Sequence, residues 1–404
     1  MKILHTADWH LGQTFMQKTR IEEHQIFVDW LINTVEIQEI EYVIIAGDVF
    51  DVTNPSIEAM DLYHYFLLEM FKRNVQVVIV GGNHDSAARL NTTGALLKLL
   101  NVHVVGGDTS LGQIIPLENS KTKSIEAVVV AIPYLRDGDL RKISEGEEVV
   151  EAHLKFAMSI KKHYDVLVEQ AVNQYSNLPM IGTAHLYVTG SSLSDSSNET
   201  MHAIGTLGQI PSQSFSANYT YMALGHIHKP QVVKHPEGVP VKYAGSPIPL
   251  SFSERDDLKE ITIIEISSNQ LSFVSKEIPL FRALKRFKGQ ADDIIQNIEN
   301  FSFDSNLTSW VELIITSPTD YSVFNDKIAA LCKEKNIEVL SRQLELKKDL
   351  NHNIRTQYEI GLDNNPLDDV AQIFKLRCDK MGLNEDNIKE INPLFEEIFN
   401  QLKN

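Results

Sequence analysis

Apolar runs of strand length punctuate the first hundred residues, and each ends in small or polar residues. Residues 2–7 close on Asp8, Tyr42-Val43-Ile44-Ile45-Ala46 closes on Gly47-Asp48, and Val75–Val80 closes on Gly81-Gly82-Asn83-His84-Asp85. β-Rich runs of this length, bounded in this way, predict strands. Between them the apolar spacing predicts helices at 22–39 and 56–73, with another at 86–100. Alternation of strand and helix argues an α/β fold. Residues 149–176 predict one long helix. Beyond it, short strands at 180–184, 221–224, 241–244, 261–266 and 271–274 are separated by Gly, Pro and Ser turns. A β-sandwich core with helices outside accommodates both halves.

The texture shifts near Pro279. Lys276, Arg282, Lys285, Arg286 and Lys288 cluster against a single acid, Glu277. Residues 281–346 then predict strand, helix (291–301), strand (310–316), helix (319–335) and strand (337–346). Residues 347–365 are polar and aperiodic. From Pro366 two amphipathic helical patterns follow, the first on Leu367, Val370, Phe374 and Met381 and the second on Ile388, Ile391, Phe395, Ile398 and Leu402. Helices this short are unstable alone, so their stripes need a surface to cover them. That surface is either this chain's own small domain or a helix of another protein. Three parts are therefore expected: 1–275, 276–346 as a small α/β cap, and a helical tail at 366–404.

Composition narrows the class. The 404 residues are 43% hydrophobic and 23% charged, an ordinary globular balance that excludes disorder as the dominant state and any fibre. No apolar run approaches the ~20 residues of a membrane span, and the opening Met1-Lys2-Ile3-Leu4 turns polar at once, unlike a signal peptide. Cys332 and Cys378 are the only cysteines, which excludes a disulfide framework and a Cys-ligated zinc site and fits a reducing cytoplasm. The net charge of -17 repels nucleic acid at long range. Action on DNA would therefore need bound metal, a local basic patch or a basic partner.

The chemistry concentrates at strand ends. Asp8-Trp9-His10, Gly47-Asp48, Gly82-Asn83-His84-Asp85 and Gly225-His226-Ile227-His228 all carry metal-type ligands, and His185 follows Gly182-Thr183-Ala184. In D-x-H and H-x-H the two ligands lie on the same side of an extended strand end. Hard carboxylate and amide oxygens mixed with imidazole suit Mn, Fe or Zn. A carboxylate can bridge two ions held about 3.5–4 Å apart. Taken singly, each piece has a structural reading: Asp8 as a helix cap, Asp48 as a turn residue, Asp85 near a helix start, His185 as a packed histidine. Taken together and in this order, the metal reading prevails.

The order D-x-H, G-D, G-N-H-D, a lone H and G-H-x-H resembles the calcineurin-like metallophosphoesterase superfamily over residues 1 to about 275. The runs 46–51, 82–90, 223–231 and above all 243–254 are similar to the nuclease subunits of the SbcCD family, kin to the DNA double-strand-break repair nucleases. One departure is Asp195-Ser196-Ser197-Asn198-Glu199, where that family commonly has an S-E-R step, so DNA contacts of this loop are not carried over. The resemblance implies a metallophosphoesterase β-sandwich flanked by helices and two divalent ions, with Mn2+ expected. One ion would be held by Asp8, His10, Asp48 and His228, the other by Asp48, Asn83, His185 and His226. His84 would be the catalytic residue, and Asp51 or Asp85 would orient a histidine. Arg89, Arg282, Lys285, Arg286 and Lys288 are candidate DNA contacts. The implied activity is 3'–5' double-strand exonuclease and single-strand or hairpin endonuclease cleavage in DNA repair. The implied partner is a coiled-coil SbcC-type ATPase bound through Ile388, Ile391, Phe395, Ile398 and Leu402, with a homodimer of this chain inside a heterotetramer. The chain lacks a G-x-x-x-x-G-K-[ST] loop, so ATP would act only through that partner. The rival readings are a small-molecule phosphodiesterase and a non-enzymatic DNA-end adaptor.

Overall fold

Two six-stranded sheets stack face to face in the computed structural model, which describes residues 1–92, 94–107, 111–140, 149–192, 209–317 and 321–345. The predicted tail helices and the 195–199 loop lie outside the described residues. The first sheet runs Gln270–Glu277, Glu260–Ser267, Lys2–Thr6, Tyr42–Ala46, Gln76–Val80, Val102–Val105. The second runs Gln231–Val233, Val241–Tyr243, Tyr221–Gly225, Met180–His185, Ile125–Ala131, Gln113–Glu118. Lys2–Thr6, Tyr42–Ala46 and Gln76–Val80 are parallel neighbours, and so are Met180–His185 and Tyr221–Gly225. The ends that carry the ligand motifs are thus carboxyl ends of parallel strands.

Side-chain alternation assigns each face. Val43 and Ile45 pack with Phe27, Leu31 and Phe66 from helices Ile21–Ile37 and Ile57–Lys72. Tyr42, Ile44 and Ala46 point the other way, into a core shared with Ile181, Tyr221 and Ala223 of the second sheet. Helix Val149–Gln174 covers the far face of that sheet through Phe156, Ile160, Tyr164 and Val168. Each central strand is buried on both faces, which is why its sequence is a continuous apolar run. The helix starting at Ile57 is capped by Ser56, whose hydroxyl accepts from the Ala59 amide at 3.3 Å.

Two expectations need correction. The helix read at 86–100 is two short helices, Ala87–Thr92 and Gly94–Lys98. Strands Val102–Val105, Gln113–Glu118 and Ile125–Ala131 had no counterpart in the periodicity reading. Pro116 interrupts the second of these, a residue tolerated because that strand lies at a sheet edge.

A third sheet of Leu284–Gly289, Ser309–Ile315 and Ile337–Leu344 carries helices Ala291–Asn300 and Tyr321–Glu334. It has its own apolar core around Ile294, Ile298, Val311, Leu313, Phe324 and Ile328. Met1–Gln343 nevertheless forms one compact unit. A buried ionic cluster contributes to the junction. The fully buried Glu23 carboxylate accepts from Arg20 Nε at 3.0 Å and Nη2 at 2.7 Å, and from Arg282 Nε at 3.3 Å. The Arg282 guanidinium lies 4.0 Å over the Trp310 ring and donates to the Thr308 carbonyl. Arg282 is therefore a buried structural residue and not a DNA contact: its charge is committed to Glu23 and withdrawn from solvent.

Removing one partner of a buried ion pair costs most when the other charge is left uncompensated, and here Arg20 would still pair with Glu23. Arg282→Ala is expected to lower the unfolding free energy by about 1–3 kcal/mol through the lost ion pair and packing, measured by urea unfolding. A surface phosphate contact would instead shift stability by no more than about 0.5 kcal/mol.

Candidate metal centre

Asp8, Asp48, Asn83, His185 and His226 all follow or end strands that finish at the same edge of the sandwich. The loops after Thr6 and Ala46 are zipped together: the Asp8 amide donates to the Gly47 carbonyl at 3.0 Å, His10 to Asp48 at 3.0 Å and Leu11 to Val49 at 2.9 Å. These turns demand unusual backbone. Asp8 (φ 51°), His10 (φ 47°), Asp48 (φ 48°) and His226 (φ 97°) are all left-handed. Non-glycine residues rarely adopt that region, and the strain is stored where the surroundings over-determine it. Glycine is required at two neighbouring points. Gly47 has φ 94°, and a Cβ there would overlap the His185 ring. A Cβ on Gly225 would overlap the Ala46 carbonyl, where the two sheets meet.

The side chains converge on Asp48. Its Oδ2 lies 3.1 Å from His185 Nε2 and 3.7 Å from His10 Nε2, and its Oδ1 accepts from the His84 amide at 2.8 Å. Asn83 Oδ1 lies 2.9 Å from His185 Nε2 and 3.0 Å from His226 Nδ1. His185 Nδ1 lies 2.9 Å from the Ala46 carbonyl and so must donate to it. Nε2 then faces two acceptor oxygens, Asp48 Oδ2 and Asn83 Oδ1, a position that calls for either a proton or a cation between them. Two more buried ligand atoms, Asp8 Oδ2 and His10 Nε2, have no hydrogen-bond partner. The donor set thus fits divalent cations. Asp48 belongs to both clusters of metal-type ligands, one with His10 and His84 and the other with Asp8 and His185.

The electrostatics agree. Burial pushes the His226 imidazole down to about 3, with the neighbouring His185 adding to the effect, so its ring is neutral with a lone pair to give. Burial also lowers His185, but the charge and hydrogen bond of Asp48, with Asp8 behind, outweigh it and bring His185 to about 9. Burial raises the Asp8 carboxyl.

Around this group, Asp51 holds two histidines at once. Its Oδ1 accepts from His10 Nδ1 at 3.1 Å and its carbonyl accepts from His84 Nδ1 at 2.7 Å. The His84 ring stands edge-on to His10 at 4.8 Å between centroids, with His228 on another side of His10 at 5.0 Å. Asp85 does something different from orienting a histidine. Its carboxylate accepts from the backbone amides of Gly82 (2.9 Å), Val49 (3.1 Å) and Phe50 (3.0 Å), stapling one ligand loop to the other. Burial and the Asp48 charge push its carboxyl up to about 6.

Of the basic residues read as DNA contacts, Arg89 is exposed and donates to Asn54 Oδ1 at 2.7 Å. Arg286 pairs with Glu312 at 2.5 Å, Lys288 is exposed, and half-buried Lys285 lines a groove with Pro279 and Phe281. None of these is drawn into the ligand cluster. Two residues beside the centre carried no site role in the sequence analysis: Lys259, and Glu254, which closes the run 243–254. Glu254, 1% exposed, accepts from His228 Nδ1 at 3.2 Å, and Lys259 holds Glu254 at 2.6 Å. The available signal was that Glu254 is the first acid after Glu237, at the end of a stretch otherwise apolar, small or hydroxylic apart from Lys242.

The described helices include none long and apolar enough to cross a membrane. The fold and the five ligand-bearing segments define a calcineurin-like phosphoesterase, and the family model of that description matches residues 1–230. Curated relatives extend the likeness beyond that domain. The chain is 34% identical over 84% of its length, and 84% of the relative's, to the SbcD subunit of the SbcCD nuclease of Escherichia coli K12. It is 35% identical to the Rhodobacter capsulatus SbcD subunit over 70% of each chain, and 31% identical to that of Bacillus subtilis over 66% of each. The chain belongs to the family of these SbcD nuclease subunits.

A proton and a cation compete for His185 Nε2. At pH 7 the unliganded imidazole is protonated, because its pKa of about 9 lies above the medium. Cation uptake is therefore expected to release a proton, and affinity to rise by up to about tenfold per pH unit until pH 9 is reached. Calorimetric Mn2+ titration in buffers of different ionisation enthalpy measures that release directly.

Proposed function

We propose that this chain is a Mn2+-dependent DNA nuclease subunit that cleaves phosphodiester bonds and works with an SbcC-type coiled-coil ATPase. The observation that carries the reading is the convergence of Asp48 Oδ2, Asn83 Oδ1, His185 Nε2 and His226 Nδ1, beside the unpartnered Asp8 Oδ2 and His10 Nε2. Asp8, His10, Asp48 and His228 would hold one ion and Asp48, Asn83, His185 and His226 the other. When bound, such ions supply Lewis-acid activation of water and of the phosphodiester.

The protein groups have definable tasks. Asp48, which belongs to both ligand clusters, would be shared by the two ions, and their charge would make this cleft of an acidic protein a local anion site. Asp51 sets the His84 ring by accepting its Nδ1 proton, which leaves Nε2 directed away from that carbonyl. His84 Nε2 is then the group that carries a proton to the leaving oxygen or offsets charge developing on phosphate. Residues 1–275 act as the nuclease domain and 276–346 as a cap over the substrate path, with Lys285, Arg286, Lys288 and Arg89 as backbone contacts. The segment 366–404 binds the ATPase through Ile388, Ile391, Phe395, Ile398 and Leu402, in a heterotetramer with two copies of this chain. The setting is the cytoplasm, on duplex ends, hairpins and single strands.

The direct test is cleavage by the purified chain with Mn2+, on DNA with free or blocked ends, with and without the ATPase. Cleavage of DNA in preference to nucleotide monoesters, with ATP stimulation only when the ATPase is present, is expected. DNA retention without hydrolysis would favour an end-tethering adaptor.

His84→Gln is expected to keep both ions and lose activity by roughly 10²–10⁴-fold, the range of a positioned acid. Metal content and turnover are measured on the same preparation. A parallel fall of both would make His84 a ligand.

A further inference from the structure

The two candidate cation sites differ in what stands behind their histidines. His10 Nδ1 faces the Asp51 carboxylate at 3.1 Å and His228 Nδ1 faces Glu254 at 3.2 Å. On the other side His185 Nδ1 faces the neutral Ala46 carbonyl at 2.9 Å. His226 turns its Nδ1 inward to Asn83 Oδ1, and no carboxylate of the described residues hydrogen-bonds its ring. An anionic partner fixes the tautomer of a ligand histidine and makes its metal-facing nitrogen more basic. One site therefore has two carboxylate-backed imidazoles and Asp8, while the other has a neutral amide and no such backing.

Glu254 is built for this task. Its carboxylate is almost wholly buried and collects four donors: His228 Nδ1, Lys259 Nζ at 2.6 Å, Leu250 N at 3.1 Å and Ser246 Oγ at 3.2 Å. Lys259, itself 4% exposed, also donates to the His228 carbonyl at 3.0 Å, and the Ser246 amide donates there at 3.1 Å. One ion pair thus grips His228 by its ring and by its main chain. A buried ion pair adds little net stability over an apolar pair of similar volume. Its placement on a single ligand histidine points to a functional role.

We propose that Glu254, held by Lys259, is a positioning residue that makes the Asp8/His10/His228 cation site the tighter of the two, leaving the Asn83/His185/His226 site as the exchangeable one. This rests on the ligand assignment made above. The experiment is a Mn2+ titration of the full-length metal-free protein, followed by calorimetry and by the electron paramagnetic resonance signal of free Mn2+. The parent is expected to bind in two resolved steps. Glu254→Gln should weaken the tight step 10- to 100-fold and leave the weak step within about threefold. Asp51→Asn, at a residue 26% exposed and so less prone to misfolding, should weaken the same step. An unshifted titration of both variants overturns the proposal. So does equal weakening of both steps with a matching fall in the apo melting temperature, which would make Glu254 a packing residue. His228→Ala and Asn83→Ala report on the assignment itself. If they remove the tight and the weak step respectively, the Glu254→Gln result judges Glu254 alone. If neither removes a step, the ligand assignment falls and the proposal falls with it.

Discussion

A single buried carboxylate organises this molecule. Asp48 is 2% exposed, and burial alone would push its proton on, yet His185, His10 and His84 around it hold it well below the ordinary carboxylate range. It therefore stands as an anion between two histidine clusters in a place with little water. The fold accommodates that anion before any chemistry begins. Gly47 lets the His185 ring lie against the strand end, the Asp48 backbone is set by a left-handed turn, and its carbonyl takes the His10 amide. Both sheets bring strand ends to this point, so the sandwich and the centre are two descriptions of one packing solution.

The charge distribution follows from the same centre. A chain with net charge -17 repels a polyanion over most of its surface. Cations that look basic in sequence are partly committed inside the protein: Arg20 and Arg282 to Glu23, Lys259 to Glu254, Lys242 to Glu260 at 2.5 Å. Attraction for phosphate would thereby be concentrated at ions held by Asp48 and its neighbours. Repulsion elsewhere and attraction at one cleft together favour a substrate presented there over one spread across the face.

The residues that touch the centre directly were largely legible because hard ligands at strand ends have few other reasons to recur in that order. Asp8, Asp48, Asn83, His185 and His226 are drawn together as their motifs suggested. What escaped depended on long-range contact. Glu254 is 26 residues from His228 in sequence, and nothing in its own neighbourhood says that it meets a histidine ring. Arg282 stands in a basic cluster in the sequence, and only Glu23, 259 residues away, explains its burial. Asp85 lies in the ligand motif itself, yet it serves three amides, a distinction that spacing does not encode. Strand Gln113–Glu118 was hidden because an edge strand with a proline lacks the uninterrupted apolar run of its buried neighbours.

The ligand-bearing segments are scattered from Asp8 to His228, and the clamp on the last of them comes from Glu254 and Lys259. A chain emerging from the ribosome carries Asp8, Asp48 and Asn83 long before it carries His226. Until then, of the site residues, it offers a cation only Asp8, His10, Asp48, Asn83, His84 and, later, His185. Competence to hold both ions thus arrives late in synthesis, after the second sheet has closed on the first. The dispersal of the ligands along the chain thus ties the complete ligand set to a late stage of synthesis.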